Sequence, residues 1–223
     1  MGGQKLLTSS FFLQWFSKTL KLEVLNHGDL HITALGLFLL SRFKNDNRTL
    51  LVLLDDETPS RALYEFCYCF YPGFVYYFPK TQESVSHIQG FVPEYKRYQT
   101  EAYYALSLKK PRLFISSLSG VHEKLFPAAQ NNFNGFLLKE NTETGRDSLV
   151  RTLNKWGYNK NEKTACPKTY SVRGGIVDVF PITSRYPVRV EFFNDKIESI
   201  RKFNPTSQRT ITKTKETTLL PPI

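Results

Sequence analysis

The chain has 223 residues, 41% hydrophobic and 22% charged, so it can bury a core and is neither a disordered tail nor a membrane-embedded protein. Its longest apolar run, residues 34–40, is far too short to span a bilayer. The formal net charge of +10 points to an acidic partner or to nucleic acid, and electrostatics alone does not separate the two.

Taken in chain order, Gly28-Asp29 is expected to cap a helix running to about Phe43, with Ile32, Leu35, Leu39 and Phe43 on one stripe. Residues 49–54 are continuously apolar, as expected of a strand covered on both faces. Asp55-Asp56-Glu57-Thr58-Pro59 then opens a helix that carries Leu63, Phe66 and Phe70. Pro72-Gly73 stops it, and residues 74–78 read as a strand. The polar stretch 81–93 reads as a loop, 95–108 as a helix and 112–117 as another buried strand; Ser119 is expected to cap a short helix ending at Pro127. This alternation predicts an α/β domain with a parallel sheet over residues 1–130.

After Asn131-Asn132 the pattern changes. Residues 135–139 read as a strand, and 146–156 as a helix with Leu149, Leu153 and Trp156 on one face, closed by Gly157. Strand signals then crowd together at 168–172, 175–180, 186–193, 196–203 and 208–214. They predict a small α+β domain with an antiparallel sheet over residues 131–217. The basic excess lies mostly here: residues 1–130 hold 14 Lys and Arg against 11 Asp and Glu, and residues 131–223 hold 16 against 9.

Motifs of catalysis are weak. Leu51-Val52-Leu53-Leu54-Asp55-Asp56-Glu57 resembles a Mg²⁺-holding Walker B strand, but no glycine-rich loop ending in Lys-Ser/Thr accompanies it. A strand leading into a helix whose dipole favours acids explains the same residues. His27 and His31 have the spacing of a helical metal pair, without an intervening HExxH glutamate or a third ligand nearby. Tyr76-Tyr77-Phe78 and Tyr103-Tyr104 read as core aromatics rather than base-stacking platforms, since no basic residues interleave them. No catalytic, cofactor-binding or metal-binding residue is assigned. Cys67, Cys69 and Cys166 make no disulfide framework and no signal peptide is evident, which is consistent with a reducing cytoplasm.

The informative stretch begins at Tyr170-Ser171-Val172-Arg173-Gly174-Gly175-Ile176-Val177-Asp178-Val179-Phe180-Pro181. Gly174-Gly175 is expected to mark a bulge or a close backbone approach within a strand. Asn194-Asp195 suits a two-residue hairpin turn. That turn places Val188, Val190, Phe192 and Ile197 on one face, and Arg189, Glu191, Phe193, Lys196 and Glu198 on the other. Phe193 is then an aromatic on a charged face. It is either a binding hot spot or a cover for a neighbouring loop or the 146–156 helix, and parity alone does not decide.

Residues 171–181, Pro187-Val188-Arg189-Val190-Glu191-Phe192-Phe193 and Ile197-Glu198-Ser199-Ile200-Arg201 closely resemble the UvrA-interaction domain of bacterial transcription-repair coupling factors (Mfd), to which a domain of UvrB is related. Gln208-Arg209 is similar to the end of that domain. Residues 49–55, Tyr77-Phe78-Pro79, 95–108 and 112–117 resemble, more weakly and in the right order, the family's degenerate helicase-like first domain, which has lost its ATP site. The resemblance implies a non-catalytic adaptor of nucleotide-excision repair without cofactor, whose partner is UvrA. It carries the partner-binding role onto Arg173, Arg189 and Phe193. Residues 218–223 would begin a segment returning to the first domain, and contact with RNA polymerase is expected only if the chain continues beyond Ile223. Where the family has an acidic link containing Pro-Gly, this chain reads Asn159-Lys160-Asn161-Glu162-Lys163-Thr164-Ala165-Cys166-Pro167-Lys168-Thr169. Two other readings stand beside this one: a DNA-binding module using the basic C-terminal third, and a UvrB-like ATP-dependent enzyme.

Overall fold

Two kinds of sheet organise the protein, and each follows from the burial its strands require. A computed structural model describes residues 30–46, 48–81, 92–108, 110–122 and 133–223. The chain divides into two compact units: Met1–Glu83 with Glu101–Asn132, and Ser84–Thr100 with Phe133–Ile223.

The first unit holds α1 (Ile32–Asp46), β1 (Leu50–Leu54), α2 (Glu57–Phe70), β2 (Val75–Phe78), β3 (Leu113–Ser117) and α4 (Leu118–His122); the division between units falls inside α3 (Glu94–Ser107). The three strands run parallel in the order β1-β3-β2. Central β3 is buried at every position. β1, although continuously apolar, is half-buried at every position, whereas the other edge strand, β2, is largely buried. In α1, Leu35, Leu39 and Phe43 are buried as the apolar stripe predicts; the Gly28-Asp29 cap, the 82–91 part of the loop and the Pro127 helix end lie outside the described residues.

Two local expectations are corrected here. The buried face of α2 is Ser60, Leu63, Tyr64 and Cys67, while Phe70 is exposed. Ser60 can sit inside because its hydroxyl donates to the Asp56 carbonyl at 2.6 Å, and Tyr64 stacks on Tyr77 at 5.3 Å. The short helix α4 is capped by Ser117 rather than Ser119: the Gly120 N–H donates to Ser117 Oγ at 2.9 Å. The aromatics of β2 and α3 pack as expected, with Phe78 edge-on to Tyr103 at 5.5 Å.

The second unit packs an amphipathic helix on a largely antiparallel sheet. Its elements are β4 (Phe136–Lys139), α5 (Arg146–Lys155), β5 (Asn159–Lys160), β6 (Thr169–Arg173), β7 (Ile176–Phe180), β8 (Val188–Phe193), β9 (Lys196–Phe203), β10 (Thr210–Thr214) and β11 (Glu216–Leu219). Six strands lie in the order β10-β9-β8-β7-β6-β5, and β11 pairs with β4. All neighbours are antiparallel except β5 and β6. Val177, Val179, Val188, Val190, Phe192, Ile197 and Ile200 turn inward onto Leu149 and Leu153 of α5, which are fully buried. Of residues 218–223, expected to begin a returning segment, Thr218 and Leu219 end β11, and Leu219 sits in this core.

The Gly174-Gly175 pair is a turn and not a bulge. Arg173 and Ile176 are register partners, so the two glycines are the whole connection between β6 and β7. Gly174 adopts φ +58°, and a Cβ on Gly175 would stand 2.6 Å from the Phe192 carbonyl oxygen. Gly175 therefore excludes a side chain by contact, whereas Gly174 has space for one and favours glycine only through its left-handed backbone. At the next hairpin Phe192 faces Ile197 and Phe193 faces Lys196, as the Asn194-Asp195 turn predicts, with Asn194 at φ +54°. A bulge follows, because Glu191 pairs with Ser199 and Phe192 with Ile197; Glu198 is the extra residue.

Candidate protein-docking face

The outward side of the six-stranded sheet is ordered by cross-strand register. One row runs Ser171, Asp178, Arg189, Arg201 across β6 to β9; the next runs Arg173, Ile176, Glu191, Ser199; the last is Phe193 beside Lys196. The three residues singled out from sequence all belong to this side.

Asp178 organises the first row. Its side chain is 1% exposed, a position a carboxylate occupies only when its oxygens are satisfied. Oδ1 accepts from Arg189 Nε at 2.7 Å, and Oδ2 accepts from Arg189 Nη2 at 2.7 Å and from Arg173 Nη2 at 2.8 Å. The Arg189 fork is thus bidentate on Asp178. Arg189 Nη2 also donates to Gln208 Oε1 at 3.0 Å, and the guanidinium lies 4.5 Å over the Phe203 ring. These bonds to Asp178 raise the Arg189 pKa above its ordinary value, against the opposing effect of burial, with the charges of Asp178 and Glu191 adding to the rise. The two arginines differ in reach: the Arg173 side chain is 52% exposed and spends one hydrogen bond on Asp178, whereas that of Arg189 is 15% exposed.

A second charge cluster lies beside the first. Arg189 and Arg201 face each other across β8 and β9, yet each turns to its own acid. Arg201 Nη2 donates to Glu191 Oε1, and Ser199 Oγ donates to Glu191 Oε2 at 2.5 Å. The link 159–169 also touches this side: Thr164, itself buried, donates to Ser171 Oγ at 3.2 Å.

Phe193 stands apart from these networks. It is 65% exposed, the most exposed large hydrophobic residue among those described, so it covers neither a loop nor α5. Among the described residues no group of three or more His, Cys, Asp or Glu could hold a metal ion, and no helix is long and apolar enough to cross a membrane.

Sequence reading missed Asp178, Glu191, Arg201 and Gln208. The signal for Asp178 was present: a carboxylate between Val177 and Val179 in a strand otherwise bound for the core needs cations on facing strands. It becomes readable only when the register pairs it with Arg189.

Residues 136–222 match the family model of the UvrB interaction domain. These residues form a UvrB interaction domain. The chain is similar to the transcription-repair-coupling factor of Myxococcus xanthus, 40% identical over 107 residues, covering 48% of this chain and 9% of the relative. It is similar to that of Escherichia coli K12, 29% identical over 118 residues, covering 53% of this chain and 10% of the relative. It also resembles the UvrABC system protein B of Acinetobacter baylyi, 26% identical over 201 residues, covering 78% of this chain and 28% of the relative. The chain therefore corresponds to the N-terminal region of the coupling factors and spans about a tenth of their length. The Phe193 and arginine rows lie inside the UvrB interaction domain.

Proposed function

We propose that this chain is a non-catalytic adaptor module of nucleotide-excision repair that docks on UvrA through the outer face of its UvrB interaction domain. The observation that carries this reading is Phe193, an aromatic ring 65% exposed beside rows of arginine and acid. An exposed aromatic next to Arg is the composition of an interface hot spot. Phe193 enters an apolar pocket on UvrA, and Arg173 extends its half-exposed guanidinium to a partner carboxylate. Arg189 contributes through the edge that Asp178 leaves open. Residues 1–130 are a degenerate helicase-like domain without ATP turnover, and residues 131–217 are the UvrA-interaction domain. Acting alone, the module competes with UvrB for UvrA.

The test is a calorimetric titration of the chain into purified bacterial UvrA, paired with a DNA-binding titration at rising salt. Saturable UvrA binding supports the adaptor. No UvrA binding together with DNA binding whose affinity falls steeply with salt supports the DNA-binding module instead.

A further inference from the structure

We propose that Arg146 is a positioning residue which, with Thr144 and Gly145, clamps the two hairpin turns that bracket Phe193 and so fixes that ring for docking. The inference rests on the reading of Phe193 as the docking residue and adds what holds it in place.

The need for a clamp follows from exposure. A ring that is 65% exposed makes few contacts of its own, so its position is set by the backbone that carries it. Phe193 is the last residue of β8, between the Gly174-Gly175 turn and the Asn194-Asp195 turn. Isolated hairpin tips are the mobile ends of a sheet. Both tips here are tied to residues 141–146.

On one side, the Thr144 and Gly145 N–H groups both donate to the Asp195 carbonyl at 3.0 Å. Asn141 N–H donates to the Ile197 carbonyl at 2.8 Å, Ile197 N–H donates to the Thr142 carbonyl at 3.0 Å, and Glu143 bridges to Lys196. On the other side, Arg146 Nη1 donates to the Gly174 carbonyl at 2.9 Å. Its Nε and Nη2 rest on Asp147 Oδ1 at 2.9 and 2.8 Å, which fixes the plane of the fork. Gly175 then passes the restraint to β8, since the Phe192 N–H donates to its carbonyl at 2.8 Å. Arg146 opens α5, and that helix is anchored by the fully buried Leu149 and Leu153. The segment therefore ties both tips to α5, which cannot move without opening the core.

Such preorganisation favours binding because less freedom remains to be lost when the ring docks. Arg146→Ala cuts the Gly174 tie and leaves the sheet and α5 intact. Its effect on affinity must pass through Phe193, which a double-mutant cycle detects.

The experiment uses the full chain and purified UvrA, with wild type, R146A, F193A and the double variant, together with amide hydrogen exchange. R146A is expected to weaken UvrA binding about five-fold in the wild-type background, the scale of ordering one side chain, and by less than about two-fold in the F193A background. Exchange at the Phe193–Lys196 amides is expected to rise in R146A, while Val177 and Val179 stay protected. An equal loss in both backgrounds would make Arg146 an independent contact and overturn the proposal, as would unchanged affinity or unchanged exchange at the tip. If F193A alone leaves affinity intact, the reading of the docking residue fails; the exchange comparison still reports whether the clamp exists.

Discussion

Removing the Asp178 carboxylate will destabilise the second unit through the arginine it leaves behind. Asp178 is 1% exposed and receives three charge-assisted bonds, two from Arg189 and one from Arg173. In Asp178→Ala the two arginines fare differently. Arg173, half-exposed, returns to water and costs little. Arg189, 15% exposed and laid over Phe203, is left with the Gln208 amide oxygen as its acceptor. Breaking a buried pair by deleting one partner costs about 3–5 kcal/mol, and the lower end applies here because Arg189 keeps some contact with water. At roughly 4 °C per kcal/mol for a domain of this size, the melting temperature should fall by about 10 °C. Asp178→Asn keeps the shape and an acceptor oxygen, so it should fall by about half as much. Thermal and urea denaturation followed by far-ultraviolet circular dichroism measure this directly. An Asp178→Ala chain melting within about 2 °C of wild type would show that Arg189 rehydrates freely and would refute the organising role given to Asp178.

Arg189→Ala removes two of the three bonds to the same buried carboxylate, so it should cost about 3 kcal/mol of stability and confound any loss of binding measured near its melting temperature. Arg173→Ala should instead leave the melting temperature nearly unchanged, because a half-exposed ion pair contributes little, while still weakening UvrA binding in a titration. Leu153→Ala opens a cavity under the sheet at a fully buried position and should destabilise by about 2–5 kcal/mol in urea denaturation; a smaller loss would mean that α5 is not the anchor of this core. In the first unit, burial pushes the Cys67 thiol up to about 12, so the folded state binds its proton more tightly than the unfolded state. The stability associated with that proton is present below pH 9 and is lost as pH rises toward 12. At pH 8 iodoacetamide should label exposed Cys69 and spare Cys67, and rapid labelling of both in the folded chain would contradict the packing of α2.

Local pattern carried much of the fold because its signals were periodic. Leu35, Leu39 and Phe43 share a helical stripe, and the alternation through Val188, Val190 and Phe192 marks one face of a half-buried strand. The two-residue spacing of Asn194-Asp195 then determined which side Phe193 would take. What stayed hidden depended on pairings between residues rather than on the period of the pattern. Gly174-Gly175, expected as a bulge or a close backbone approach, does make the close approach at Gly175, but the turn it forms is legible only once β7 is seen to pair directly with β6. The half-burial of β1, against the burial of the other edge strand β2, depends on what packs over each, which no run of leucines encodes. Ser60 entered the buried face of α2 because a backbone carbonyl satisfied its hydroxyl. Asp178 escaped notice because its meaning is a relation to Arg173 and Arg189, five and eleven residues away.

The most direct test of the docking face is a pair of calorimetric titrations into UvrA, wild type against Phe193→Ala, with both melting temperatures recorded. Phe193 is exposed and outside the hydrogen-bonded rows, so its truncation should leave the melting temperature within about 2 °C while affinity falls by about 2 kcal/mol, roughly 30-fold. Equal affinities for the two chains would contradict the account.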